Sequence, residues 1–211
     1  MTVFKNRTEA GKKLAESLGE FKNSDAVVLA LPRGGIITGR EISNALNLPL
    51  DIIVTRKIGA PENNEYAIGA IDKNGNGVWN DAEREYVDKK WLEQKIAVEK
   101  KEAIRRWNTY RKGMGALDLK NKTVIITDDG IATGLTIQAA VAYAKHEGAR
   151  KVVVAVPVAS SESVQAMKAL AEVFVLETPI FFSAVGQWYE DFPQVTDEEV
   201  IYALAPTPTF R

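Results

Sequence analysis

The sequence contains no cysteine and a single histidine, His146, among its 211 residues. The lack of cysteine excludes disulfides, thiolate nucleophiles and thiolate metal sites. A single histidine disfavours a histidine-based catalytic triad or a zinc site. The formal net charge of −1 gives the chain no overall attraction to nucleic acid or to an anionic membrane surface.

The sequence also lacks a long apolar run. Residues 152–159 form one of the longest, and they are too few to span a bilayer. The first residues carry no apolar segment of the kind found in secretory signals. We therefore expect a cytoplasmic protein with no membrane partner. Its 45% of hydrophobic residues can supply the core of one domain over residues 1–211.

Hydrophobic periodicity predicts strands that alternate with helices. The predicted strands are residues 26–31, 50–57, 66–71, 77–79, 123–128, 151–156 and 173–176, and the main predicted helices are 8–18, 35–46, 134–146 and 161–171. This alternation predicts an α/β fold with a parallel β-sheet flanked by helices. Asn74-Gly75 predicts a hairpin between 66–71 and 77–79. Thr196 and Glu199 have the spacing of a capping box for a last helix.

Residues 81–112 are rich in helix formers and predict an inserted helix or helical pair, within an insertion that spans 81–118. Residues 100–122 hold eight basic residues against Glu102 and Asp118, a local excess of six positive charges. A solvated helix surface is the favoured interpretation, which makes nucleic acid a disfavoured partner. A dimer contact is a further alternative.

Residues 72–83 match the spacing of a calcium-binding EF-hand loop, from Asp72 to Glu83. Two observations favour a simple turn instead. The preceding residues have the pattern of a strand and not of a helix, and the loop offers few carboxylates. The calcium interpretation stays open as the less favoured one.

The most informative segment is residues 124–136. Val124, Ile125 and Ile126 form a continuous apolar run, which predicts a buried parallel strand with Asp128 and Asp129 at its carboxyl end. Ligands of open α/β sheets bind at that edge. The following residues 132–136 can offer backbone N–H groups, two hydroxyls and a helix N-terminus to a phosphate. An ordinary helix-capping turn is the alternative.

Two further loops follow predicted strands. Residues 31–35, with the sequence LPRGG, taken alone are typical of a plain strand-to-helix connection whose glycines provide positive φ. Residues 55–61, with the sequence TRKIGAP, contain Lys57. Taken alone, this residue can be an ordinary solvated charge at the end of a strand.

These three motifs, in this order, resemble the type I phosphoribosyltransferases and together anchor residues 26–176. The resemblance implies a parallel sheet with a small hood and an enzyme that depends on Mg²⁺. Such an enzyme transfers the 5-phosphoribosyl group of phosphoribosyl pyrophosphate (PRPP) to a nucleobase-like acceptor and releases pyrophosphate.

The resemblance also implies a role for each motif. Asp128 and Asp129 are expected to hold the ribose hydroxyls and to position Mg²⁺ largely through water and substrate. With Lys57 they form the implied catalytic set. The residues implied to bind the 5-phosphate are Ala132, Thr133, Gly134, Leu135 and Thr136, and those implied to bind pyrophosphate are Arg33, Gly34, Gly35 and Lys57. Residues 59–65 are expected to close over the site as a lid.

The acceptor is less well determined. Enzymes of this superfamily that act on 6-oxopurines carry an Asp before the Thr-Gly of this loop, and this chain has Ala132 there, as the adenine-type enzymes do. The C-terminal hood and tail, residues 178–211, contain Phe182 and Trp188 as candidates for stacking on a base, although aromatic side chains at such a position commonly belong to the core. We expect a heterocyclic acceptor and a homodimer.

Two other functions fit the same motifs. A sensor would bind PRPP without turnover and regulate a partner, and the basic insertion is the feature in its favour. A hydrolase would use the two aspartates only to bind metal. Pyrophosphate release that requires an added base would identify a transferase.

Overall fold

The computed structural model describes residues 4–205, and they fold around two sheets. The strands are β1 (Val27–Ala30), β2 (Leu50–Ile52), β3 (Thr55–Ala60), β4 (Asn63–Asp72), β5 (Gly77–Trp79), β6 (Thr123–Thr127), β7 (Lys151–Val158) and β8 (Glu172–Glu177). Five strands form a parallel sheet in the order β2-β1-β6-β7-β8, and β3-β4-β5 form an antiparallel sheet.

Helices cover the parallel sheet, so the predicted α/β architecture is confirmed. They are α1 (Arg7–Ser17), α2 (Gly35–Leu46), α3 (Asp81–Arg84), α4 (Lys89–Arg111), α5 (Leu135–His146), α6 (Ser161–Lys168) and α7 (Asp197–Leu204). Within residues 4–205 no helix combines the length and the apolar character that a bilayer span requires.

The core lies on both faces of the parallel sheet, which explains why its central strands are continuous apolar runs. On one face, Val124 and Ile126 of β6 share a cluster with Ile137 of α5 and Met167 of α6. On the other face, Ile125 belongs to a cluster formed mainly with α1 and α2. The alternating side chains of β6 therefore fix the helices on either side, and the end of this strand has a fixed position.

The prediction of one strand over residues 50–57 is wrong. Residues 50–52 form β2 at the edge of the parallel sheet, and the chain then leaves that sheet to start β3 at Thr55. In β3, Arg56 pairs with Glu99 of α4, and Ile58 packs in a cluster with Leu92 of the same helix. These contacts with α4 hold β3 in the second sheet.

The hairpin predicted at Asn74-Gly75 is confirmed, and it accounts for the resemblance of residues 72–83 to a calcium loop. Oδ1 of Asp72 accepts hydrogen bonds from the backbone N–H groups of Asn74 and Asn76, at 2.8 and 2.9 Å. Glu83 instead accepts a hydrogen bond from the hydroxyl of Tyr66. Among the described residues, no group of three or more acidic or histidine side chains is arranged to hold a metal ion.

Several basic side chains of helix α4 form ion pairs within the fold. Glu102 pairs with Arg105 and Arg106, and these hydrogen bonds hold the pKa of Glu102 at about 2 despite partial burial. Arg111 is buried and pairs with Asp51 of β2. Asp51, which lies outside residues 100–122, therefore compensates one of the six excess positive charges of this segment.

The last helix begins as predicted. The side chain of Thr196 accepts a hydrogen bond from the N–H of Glu199, and Glu199 accepts one from the N–H of Thr196, so the capping box is confirmed. Residues 206–211 of the predicted hood and tail lie outside the described residues, as do residues 1–3.

A buried ion pair connects β2 to the last residue of α4. Asp51 and Arg111 are 4% and 3% exposed, and their carboxylate oxygen and guanidinium nitrogen lie 2.5 Å apart. The Asp51 carboxylate also accepts hydrogen bonds from the N–H groups of Ile52 and Leu117. All three donors lose their acceptor if this carboxylate is removed.

We therefore expect Asp51→Ala to lower the free energy of unfolding by about 3–5 kcal/mol, because it leaves a buried guanidinium without its counter-ion. Urea denaturation monitored by circular dichroism measures the change. Asp25→Ala is the matched control, since Asp25 pairs with Arg150 at an exposed position. The control should cost less than about 1 kcal/mol. Equal losses in the two variants would contradict the interpretation.

Candidate active site

The candidate site lies where two adjacent strands of the parallel sheet end. Ala30 of β1 is paired with Thr127 of β6, and the N–H of Leu31 donates to the carbonyl of Thr127 at 2.9 Å. The glycine loop, residues 31–35, and the acidic pair, Asp128 and Asp129, therefore leave the sheet side by side. This is the edge at which open α/β sheets bind ligands.

The glycine loop lies directly against the acidic pair. A Cβ atom on Gly34 would lie 1.9 Å from Oδ2 of Asp129, and one on Gly35 would lie 2.7 Å from the Cα of Asp128. Neither position has room for a side chain. These glycines are needed because the two loops approach so closely, and neither has a positive φ.

The two carboxylates of the acidic pair differ in their surroundings. Burial raises the pKa of the Asp128 carboxyl well above its usual range, and the neighbouring Asp129 charge raises it further. Asp128 accepts a hydrogen bond from the N–H of Asp129 at 2.8 Å. Asp129 has a buried cation beside it, because the Nε of Arg7 donates to its Oδ2 at 2.7 Å.

Two residues of this site were not found by sequence reasoning: Arg7 and Tyr189. Arg7 is the first residue of α1, and the hydroxyl of Tyr189 donates to the backbone carbonyl of Asp129 at 2.5 Å. Burial raises the pKa of the Tyr189 hydroxyl well above its usual range, so it stays protonated as a donor. No local pattern marks either residue, since they lie 122 and 60 positions from Asp129.

Residues 132–136, called the phosphate loop here after their predicted role, follow at the same edge. Ala132 and Thr133 are exposed, Gly134 precedes α5, and Leu135 and Thr136 form its first turn. The carbonyl of Ala132 accepts hydrogen bonds from the hydroxyls of Ser160 and Ser163, at 3.0 and 2.6 Å. These two serines anchor the loop to the start of α6.

Gly134 is required for its backbone conformation. Its φ of 80° lies in the left-handed region, which side chains rarely adopt. A Cβ atom there would meet Ile131 and Met167 at 3.5 Å, an ordinary contact on the protein side of the loop. A side chain at this position would therefore act through strain in the backbone of the loop.

Arg33 pairs with an acidic residue of α7, and Lys57 belongs to the antiparallel sheet. The guanidinium of Arg33 lies 3.7 Å from the carboxylate of Asp197, which also accepts a hydrogen bond from Tyr110. Among residues 4–205, Arg33 forms this ion pair but no hydrogen bond through its guanidinium. Lys57 lies in β3 of the antiparallel sheet, and its strand position alternates with Arg56 and Ile58, which face α4.

The predicted lid, residues 59–65, forms the end of a hairpin in this structure. Its residues belong to β3, a two-residue turn at Pro61 and Glu62, and the start of β4. The hairpin has an irregular register at Gly59, where a Cβ atom would lie 2.3 Å from the carbonyl oxygen of Asn64.

The two aromatic residues proposed to stack on a base stack on each other here. The rings of Phe182 and Trp188 are 6.5 Å apart and tilted by 14°. Both are half-buried and pack against a cluster that contains Phe4 and Tyr189. The exposed apolar residues of this segment are Ile180 and Phe181, at 90% and 88%.

Comparison with known proteins agrees with this geometry. A family model described as the phosphoribosyl transferase domain matches residues 4–190. Two proteins of Mycobacterium tuberculosis, from strains CDC 1551 and H37Rv, are provisionally named as phosphoribosyl transferases and are 41% identical over 210 residues. The match covers 97% of this chain but 47% of each relative, so the chain spans about half of their length.

Solved structures give the same picture. The crystal structure of TT1426 from Thermus thermophilus has a TM-score of 0.83 and 41% identity, over 96% of this chain and 98% of that one. A hypothetical protein from Neisseria gonorrhoeae with bound ppGpp shares the fold, at 15% identity and a TM-score of 0.50 over 97% and 96% of the two chains. The family model and the 41% identical relatives lead to one conclusion: the chain belongs to the phosphoribosyl transferase domain family.

Proposed function

We propose that this domain is a Mg²⁺-dependent phosphoribosyltransferase that transfers the 5-phosphoribosyl group of PRPP to a nucleobase-like heterocycle. The observation that carries the proposal is the contact of Gly34 and Gly35 with Asp128 and Asp129, beside the phosphate loop. A pyrophosphate group, a ribose and a 5-phosphate are joined in one PRPP molecule. The three loops at this edge offer one type of contact for each of them.

Asp128 and Asp129 are proposed to accept hydrogen bonds from the ribose hydroxyls. Two adjacent carboxylates suit a pair of neighbouring hydroxyl donors. They also suit Mg²⁺, since this ion keeps several waters and takes few protein ligands, whereas a fully protein-bound metal would need more oxygen donors than this pair has. When bound, Mg²⁺ would neutralise negative charge on the pyrophosphate.

The phosphate loop is proposed to hold the 5-phosphate through backbone N–H groups at the start of α5 and through the hydroxyls of Thr133 and Thr136. A helix N-terminus with free N–H groups favours an anion. The two serine bonds to the Ala132 carbonyl fix the loop before substrate arrives. A fixed loop loses less conformational entropy on binding.

Arg33, with the backbone of Gly34 and Gly35, is proposed to bind the pyrophosphate. Its guanidinium retains unused donors for an oxyanion, as its contact with Asp197 is an ion pair at 3.7 Å and not a hydrogen bond. Lys57 would join Arg33 if the β3–β4 hairpin moves toward the site. In the reaction, the C1–oxygen bond to pyrophosphate breaks as the acceptor nitrogen bonds to C1, and these cations compensate the charge that develops on the leaving group.

Residues 81–118 are proposed to be an insertion, and the hood and tail, residues 178–211, are proposed to cover the acceptor.

A PRPP sensor without turnover is the second candidate, favoured by the exposed lysines of α4, Lys100 and Lys101. An assay of pyrophosphate release from PRPP and Mg²⁺ over a panel of heterocycles distinguishes the two. Release that depends on an added base supports the transferase, and PRPP binding without any release supports the sensor.

The acidic pair generates the first functional prediction. PRPP with Mg²⁺ should stabilise the wild type by about 2.7 kcal/mol at 100 times Kd. The double variant Asp128→Asn, Asp129→Asn should lose most of this gain, because amide groups neutralise the site that positions ribose and metal. Thermal shift measures both proteins. Asp118→Asn, on an exposed loop, is the control and should keep the full gain. A full gain in the double variant would contradict the assignment.

The phosphate loop generates the second prediction. Gly134→Val should abolish binding of ribose 5-phosphate, because a β-branched residue cannot keep a φ of 80° and the loop must rearrange. Isothermal calorimetry measures the affinity.

Gly148→Val is the matched control for Gly134→Val. Gly148 has a φ of 83° and follows the other end of α5, so this variant introduces similar strain away from the proposed site. It should lose stability but keep ribose 5-phosphate affinity. Retained affinity in Gly134→Val would mean that residues 132–136 do not hold the phosphate.

The third prediction concerns the acceptor. The side chain of Ala132 cannot act as a general base toward the acceptor. A general base contributes about 10² to 10⁴-fold to a rate. Hypoxanthine and guanine should therefore be poor substrates in steady-state assays that also include adenine and orotate. A kcat/KM above ~10⁴ M⁻¹s⁻¹ for either 6-oxopurine would show that Ala132 does not discriminate among acceptors.

A further inference from the structure

Arg7 makes three contacts that join different parts of the candidate site. Its Nε donates to Oδ2 of Asp129 at 2.7 Å, and its Nη1 donates to the carbonyl of Pro193 at 2.7 Å. The guanidinium carbon lies 3.6 Å from the centroid of the Phe192 ring. Arg7 is 8% exposed. A planar guanidinium can make these contacts together, whereas an ammonium group is a single compact charge.

The contact with Asp129 uses one oxygen and leaves the other available. Arg7 engages Oδ2, and no N–H group within residues 4–205 donates to Oδ1 of Asp129. The backbone of Asp129 is held separately, by the Tyr189 hydroxyl. The orientation of this carboxylate is therefore set by groups from α1 and from the hood, and its remaining oxygen has no cationic partner within residues 4–205.

Arg7 also offsets charge where two carboxylates lie next to each other. Asp128 and Asp129 are both largely buried, and burial makes an uncompensated carboxylate costly. Gly34 packs against the same pair, and a Cβ atom there would lie 3.0 Å from the Nε of Arg7. The guanidinium of Arg7 therefore lies next to both Asp129 and Gly34.

We infer that Arg7 is a positioning residue for substrate binding, which acts by holding Asp129 so that Oδ1 faces the ribose hydroxyl of PRPP. Through Pro193 and Phe192 it couples this carboxylate to the hood. The inference rests on the proposed function, since it names a residue that prepares the same site. Arg7 itself acts through Asp129 and does not touch the reacting atoms.

A purely structural role for Arg7 predicts a different result. If the residue only attached α1 to the hood, its loss would lower stability but leave PRPP affinity of the folded protein unchanged. A positioning role also changes affinity, and that change disappears when Asp129 is already altered. Affinity and stability must therefore be measured on the same variants.

The test compares Arg7→Gln, Arg7→Lys and Arg40→Gln in the full chain. Arg40 also bonds backbone carbonyls near the C-terminal end, those of Ala203 and Ala205, but lies outside the proposed site. With Mg²⁺ present, Arg7→Gln should bind PRPP about tenfold or more weakly by calorimetry, as expected when a charge-assisted hydrogen bond that orients a ligand group is lost. Arg7→Lys should recover part of the affinity, and Arg40→Gln should bind like the wild type.

A double-mutant cycle with Asp129→Asn then tests whether Arg7 acts through Asp129. The PRPP-dependent thermal shift is read for both single variants and for the double variant, because it detects weak binding. The Arg7→Gln change should add little in the Asp129→Asn background. Independent, additive losses would overturn the inference, and so would wild-type affinity in Arg7→Gln.

Circular dichroism verifies that each variant is folded. If Arg7→Gln does not fold, Arg7→Lys carries the test, and wild-type affinity in that variant overturns the inference. Failure of the proposed function gives a separate result. In that case the wild type itself shows no binding of PRPP, whereas failure of the inference alone leaves wild-type binding intact and Arg7 variants unaffected.

Discussion

The contact between the glycine loop and the acidic pair is the constraint on which the rest of the site depends. Parallel pairing of β1 with β6 brings the two loops out of the sheet together, and they pack so closely that neither Gly34 nor Gly35 has room for a Cβ atom. A Cβ atom at either position would push the loops apart. Carboxylates, backbone N–H groups and the phosphate loop then share one edge of the sheet.

That close contact buries acidic groups, and distant parts of the chain compensate for the burial. Arg7 supplies a cation to Asp129, and Tyr189 donates a hydrogen bond to its carbonyl. The N-terminal segment and the hood meet as well, since Phe4 forms a bridge with Tyr189. Both ends of the span matched by the family model, residues 4–190, therefore converge on the acidic pair.

Local patterns predicted most of the fold, because local forces determine those elements. Continuous apolar strands follow from burial on two faces, and Asn74-Gly75 and the Thr196 capping box are encoded within a few residues. The break between β2 and β3 was missed because contacts with the distant α4 cause it. The approach of Arg7 to Asp129 and of Arg33 to Asp197 also depends on residues far apart in sequence, so no periodicity could predict either pair.

The hood combines a part that is fixed by contacts with the candidate site and a part that is exposed. Its fixed part contains Tyr189, held by Asp129, and the stacked rings of Phe182 and Trp188. Ile180 and Phe181 belong to its exposed part and contribute little to that packing. Substitution at these two positions would change the outer surface of the hood while its contacts with Asp129 and Arg7 stay in place. The exposed surface of this segment can therefore vary without disturbing its contacts with Asp129 and Arg7, because different residues form the two parts.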